Sequence, residues 1–93
     1  MQTIYAGDIG TEIEFKPNFD VSQIESAKLI VVKPTKKKVE TDSVVVGSDS
    51  LTHTVDGSIF VEPGQYDMQL IIKLKSGGSY HTNIMKLYVK ETL

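Results

Sequence analysis

Two histidines (His53 and His81), two glutamates (Glu12 and Glu14), two glycines (Gly7 and Gly10) and the run Lys36-Lys37-Lys38 are the residues of this chain whose types and spacing bear on chemistry. An imidazole acts as a base beside a nucleophile or carboxylate, and as a metal ligand when further donors converge with it. The sequence has no cysteine, which removes thiol catalysis and thiolate zinc sites, and neither histidine lies near a serine-centred elbow. His53 shares a face with Leu51 and Val55, where a hydrogen-bonded imidazole at a sheet edge is expected rather than a ligand. Glu12 and Glu14 fall on one wet strand face. Paired carboxylates serve glycoside hydrolysis or calcium, but no Asp-x-Asp loop accompanies these, and their expected use is protection of an edge from unwanted pairing. Gly7 and Gly10 have no helix after them and make no phosphate cradle; they let the first strand cross from one sheet to another. The lysine run has no aromatic platform beside it and reads as a solvated turn. The chain is therefore read as a non-enzyme with no catalytic residue, metal or cofactor.

Ninety-three residues, 40% apolar and 24% charged with a net charge of -2, describe one globular domain spanning 1–93 with a single core. That charge balance disfavours nucleic acid, whose phosphates demand clustered cations. The longest apolar runs, Leu29 to Val32 and Val44 to Val46, fall far short of the roughly 20 residues of a membrane helix. The start "MQTIYAGDIG" lacks a basic segment followed by an apolar one, so no signal peptide is read. A cytoplasmic site of synthesis is expected, and the lack of cysteine agrees with it.

The elements that must hold these residues follow a period of two. In "TEIEFK", Thr11, Ile13 and Phe15 point one way and Glu12, Glu14 and Lys16 the other. "AKLIVVK" is apolar on both faces, as a central strand is. A turn at Pro34 to Lys37 leads to strands at 38–46 and 51–55, separated by Gly47-Ser48-Asp49-Ser50. In "QYDMQLIIKLK", Tyr66, Met68, Leu70, Ile72 and Leu74 face inward; Ser76-Gly77-Gly78 then turns the chain into a last strand, "SYHTNIMKLYVK", with Met85, Leu87 and Val89 inward. One helical turn is expected near Asp20, with Ser22 and Glu25 at capping-box spacing. The expectation is an all-β sandwich of about seven antiparallel strands in two sheets without a disulfide, its core built on Phe15, Leu29, Val31, Tyr66, Met68, Leu70, Ile72, Leu87 and Val89. On the same parity Ile71, Ile84 and Tyr88 point outward, joined by Tyr80 in the absence of a bulge, and form a candidate partner-contact cluster.

"EPGQYDM" has the pattern by which an immunoglobulin-type sandwich enters its F strand: an acidic residue, Gly, Tyr and Cys at alternate positions. Here these are Glu62, Gly64, Tyr66 and Met68. Gly64 turns the corner, Tyr66 anchors it, and Met68 fills the place of the cysteine, opposite Leu29 or Val31 on the B strand.

Across "IYAGDIGTEIEF", "SAKLIVVKPTKKKVE" and the segment from "LTHTVDG" to "KLYVKE", the chain resembles the small immunoglobulin-like domain of tailed-bacteriophage structural proteins, including baseplate upper proteins. The resembling elements are Gly7 to Thr11, the Lys33-Pro34 turn with Val39 and Glu40 after it, the Pro63 to Tyr66 corner, and the glycine hairpin ending in Leu87-Tyr88-Val89. In place of an Asp-Gly turn the chain has Thr35-Lys36. The resemblance implies a non-enzymatic structural domain of a phage virion, in its tail or baseplate, assembled in the host cytoplasm. Its implied partners are other virion proteins and further copies of itself, with neither nucleic acid nor membrane. The alternatives are a carbohydrate- or host-surface-binding module and a head decoration protein.

Overall fold

The computed structural model describes residues 2–17 and 20–91; the outermost residues of the expected 1–93 domain lie outside that description. Nine strands are formed among the described residues: β1 (Gln2–Tyr5), β2 (Ile9–Phe15), β3 (Ile24–Val32), β4 (Lys38–Thr41), β5 (Val45–Val46), β6 (Leu51–Asp56), β7 (Gly64–Leu74), β8 (Ser79–His81) and β9 (Met85–Lys90). They make two sheets. The larger has the order β1-β9-β7-β3-β4, with β8 also on β7; the smaller has the order β2-β6-β5. All pairs are antiparallel except β1, which runs parallel to β9. This is the expected all-β sandwich. All nine core residues read from alternation are buried, and Ile4, Ile13, Val21, Ile24, Leu51, Val55 and Phe60 join them.

Gly7 and Gly10 have φ of 81° and 89°, backbone that favours glycine, and they lie where the chain leaves β1 in one sheet for β2 in the other. The pairing of β2 with β6 slips by one residue between Ile9 and Glu12, which turns Ile9 outward to 80% exposure.

Three local expectations are corrected. The expected strand over 38–46 is two, β4 and β5, in different sheets, with the crossing at Asp42-Ser43-Val44. Thr41 Oγ1 accepts the Ser43 N–H, and Nδ1 of His53 lies 2.7 Å from the Ser43 carbonyl oxygen. His53 is 3% exposed and sits on β6, the middle strand of its sheet, so it pins this crossing from inside the sandwich rather than from a sheet edge. The turn at Val21–Gln23 is a short 3₁₀ turn, and its cap is Asp20, not Ser22 with Glu25. The Asp20 carboxylate accepts the Ser22 N–H at 3.0 Å, and bonding to the backbone and then the hydroxyl of Ser22 holds its pKa below the usual carboxylate value. Finally, Leu29 and Val31 lie beside β7 in the same sheet, with Val31 directly paired with Met68. The B-strand position belongs to β2, in the smaller sheet.

The two hairpins of the larger sheet share one hydrogen-bond pattern. In β3–β4 the Lys36 N–H donates to Lys33 O and the Lys33 N–H to Lys37 O, each 2.8 Å. In β7–β8 the Gly77 N–H donates to Leu74 O at 2.9 Å and the Leu74 N–H to Gly78 O at 2.8 Å. Lys36 (φ 70°) therefore occupies the left-handed position that Gly77 (φ 97°) fills in the other hairpin. A non-glycine residue there costs about 1–2 kcal/mol, partly offset by the greater freedom of glycine in the unfolded chain. Lys36→Gly will stabilise the domain by about 0.5–1 kcal/mol, a rise of roughly 2–8 °C in thermal midpoint. Scanning calorimetry checks it; an unchanged or lowered midpoint contradicts it.

Candidate interaction surface

The corner forms as its residue types require. Tyr66 is fully buried; its hydroxyl donates to Glu62 O at 2.7 Å and accepts the Glu62 N–H at 3.1 Å. Gly64 has φ of 133°, and a Cβ built on it would stand 2.8 Å from Pro34 Cγ. The Lys33-Pro34 turn thus packs on the corner, and Lys33 Nζ comes within 3.7 Å of Glu62 Oε1. Glu62, Gly64 and Tyr66 form one structural unit that fixes the start of β7.

The outward residues are placed by the register of β7. Lys28 and His81 flank Ile71, Ile30 flanks Gln69, Val32 and Lys86 flank Asp67, and Tyr88 flanks Gln65. Ile71 and Tyr88 both face outward, but they are six residues apart along β7, about 20 Å at strand spacing. The expected single cluster is therefore corrected to two separate spots. Ile71 belongs with Ile30 and Val32, while Tyr88 (43% exposed) belongs with Tyr5 (52%), diagonal to it on β1. Ile84 is 62% exposed and precedes β9.

Tyr80 leaves the outer face. The expected strand over 79–90 is interrupted at Thr82-Asn83-Ile84 and carries one extra residue against β7, since Met68 pairs with Met85 but Ile71 with His81. Thr82 causes the break: its N–H donates to Leu70 O (3.0 Å), its Oγ1 accepts the Leu70 N–H (3.0 Å), and its own carbonyl accepts from Gln69 Nε2 (2.8 Å). The shift pairs Tyr80 with the inward Ile72 and places it in a cleft with Phe15, Leu70 and Met85.

Sequence reading missed the charge of the two outer faces. Among the described residues Lys28, Lys38, Lys73, Lys86 and Lys90 hold outward register positions on the larger sheet, opposed at such positions by Glu40 and Asp67 and, from the crossing after β4, by Asp42, whose Oδ1 lies 3.8 Å from Lys28 Nζ. One of those acids is committed within the face, since Asp67 Oδ1 accepts from Lys86 Nζ at 2.7 Å. On the smaller sheet the outward positions hold Glu12, Glu14 and Asp56 among Thr52, Thr54 and Ile9. The signal was legible, because all five lysines share the outward parity of their strands.

Among the described residues no three His, Asp or Glu side chains come together where one ion could be held. No family model matches the sequence, and no curated protein does. Among solved structures the fold is similar to that of CopC from Methylosinus trichosporium OB3b, with a TM-score of 0.64 over 99% of this chain and 86% of that one at 12% identity. The neighbour is a β-sandwich that is not a phage protein, and the expected virion role, with its tail, baseplate, head-decoration and host-surface variants, is corrected on that finding. The turns and core positions that carried the resemblance are ones the sandwich itself demands: the Tyr66 corner, the Pro34 turn packed on Gly64 and the glycines at the sheet crossing. At this identity the likeness to CopC shows the fold alone.

Proposed function

We propose that the chain is a non-enzymatic protein-binding domain whose larger sheet receives an acidic surface of another protein on its outer face. The lysine excess of that face carries the reading. Val32 and Ile71, both half-buried, lie with the more deeply covered Ile30 (9% exposed) among Lys28, Lys38, Lys73 and Lys86, a small apolar centre with a cationic rim. Interfaces are built this way, with a desolvated apolar middle supplying affinity and rim charges supplying orientation and association rate. The test compares wild type with Lys28→Glu/Ile71→Ser/Lys73→Glu in affinity capture from extracts of the source cells, after circular dichroism has shown both to be folded. A protein retained by wild type and lost from the variant is the expected result. Equal recovery by both, or recovery by neither, ends the reading.

A further inference from the structure

The longest open edge of the sandwich is β2. It borders the smaller sheet with β6 on one side only, over seven residues, whereas the bordering strands β1 and β4 have four each and β5 has two. The slip between Ile9 and Glu12 blunts the first part of this edge, and beyond it the regular run Glu12–Phe15 offers its N–H and C=O groups to an incoming strand. The edge is open because β1, which precedes it, runs entirely beside β9 in the other sheet.

Two further features specify what would pair there. Glu12 and Glu14 stand on the outer face of β2, beside Thr54 and Thr52 of β6. A second copy pairing antiparallel through Ile13 would set Glu12 against Glu14 twice, and like charges directly opposite repel. Glu12, and Glu14 in exchange for its 3.7 Å contact with Lys16 Nζ, attract a strand with Lys or Arg at alternate positions, so they disfavour self-pairing in this register and favour a heterologous partner. At the Phe15 end of β2, moreover, the two sheets part around an open cleft of about 320 Å³ lined by Phe15, Leu70, Tyr80 and Met85. An added strand would point its inward side chains to this side, where an apolar one has a place to seat.

We propose that β2 is a strand-addition site for an extended segment of another chain, apolar on one parity and cationic on the other. The probe is the blocked heptapeptide Lys-Val-Lys-Val-Lys-Val-Lys, titrated into the isotope-labelled domain and followed by amide chemical shifts and hydrogen exchange. Shift changes and slowed exchange are expected within Ile9–Phe15, weakening with added salt. Glu12→Lys/Glu14→Lys, both at exposed positions, will bind this peptide about tenfold less tightly and will prefer Glu-Val-Glu-Val-Glu-Val-Glu. Three results would each overturn the proposal: equal binding of the same heptapeptide N-methylated at every backbone amide, which keeps the charge but cannot donate to the edge; shifts mapping to the outer face of the larger sheet; or no binding. Because the lysine-rich face repels this peptide, the outcome is independent of the proposed function.

Discussion

Phe60→Ala will cost about 4 kcal/mol, a large part of the roughly 5–15 kcal/mol that holds a domain folded. Phe60 lies between β6 and β7, outside any strand, yet it is fully buried. Its ring meets Tyr66 of the larger sheet with centroids 5.1 Å apart and His53 of the smaller at 6.3 Å, both tilted rather than stacked. Its carbonyl accepts the Gly7 N–H at 3.2 Å, which ties the loop to the crossing between β1 and β2. Truncation would leave a void among side chains held by two sheets and a hydrogen-bonded imidazole, with little freedom to collapse into it. Urea unfolding should show a midpoint lowered by roughly 2–4 M with its slope unchanged. A cost under about 1 kcal/mol would mean that the loop closes over the void, and Phe60→Leu, which keeps most of the volume, should recover more than half of the loss.

Phe60 also shows where sequence reading stops. Alternation finds buried residues only inside strands, and it did so throughout β7 and β9, where Tyr66, Met68, Leu70, Ile72, Leu87 and Val89 all face the core. A loop residue has no period to betray it. The two split strands have a related cause. The breaks at Ser43 and Thr82 depend on bonds from these residues to His53 and to Leu70, ten and twelve positions away, and such pairings are set by tertiary packing. The Thr82 break shifted Tyr80 off the outer face. The outward parity of Ile71 and Tyr88 was correct, but their separation depended on which part of β7 each opposes, and register across a bulge is invisible to periodicity. The corner was fully legible, because Gly64 and Tyr66 are each demanded by local geometry.

Tyr66→Phe will destabilise the domain by about 2 kcal/mol and lower the thermal midpoint by roughly 8–16 °C. The lost hydroxyl is the donor to Glu62 O and the acceptor for the Glu62 N–H, so the variant leaves both backbone groups without their partner beside a filled core. The size of this loss depends on pH in a direction fixed by the hydroxyl. Burial foremost, with the Glu62 charge adding to it, raises the Tyr66 pKa above its ordinary 10.0, against an opposing effect of the backbone bond. Below pH 10 the hydroxyl is protonated in both folded and unfolded chains, and its contribution is fully present. As pH rises past 10 the unfolded chain releases this proton while the folded chain retains it, so the contribution declines until the folded-state value is passed. The stability gap between wild type and Tyr66→Phe should therefore be constant from pH 6 to 9 and narrow above 10. Urea unfolding of both proteins across that range checks it, and their difference cancels every other titrating group. A gap that stays constant to pH 11, or widens, would show that the corner does not depend on the protonated hydroxyl.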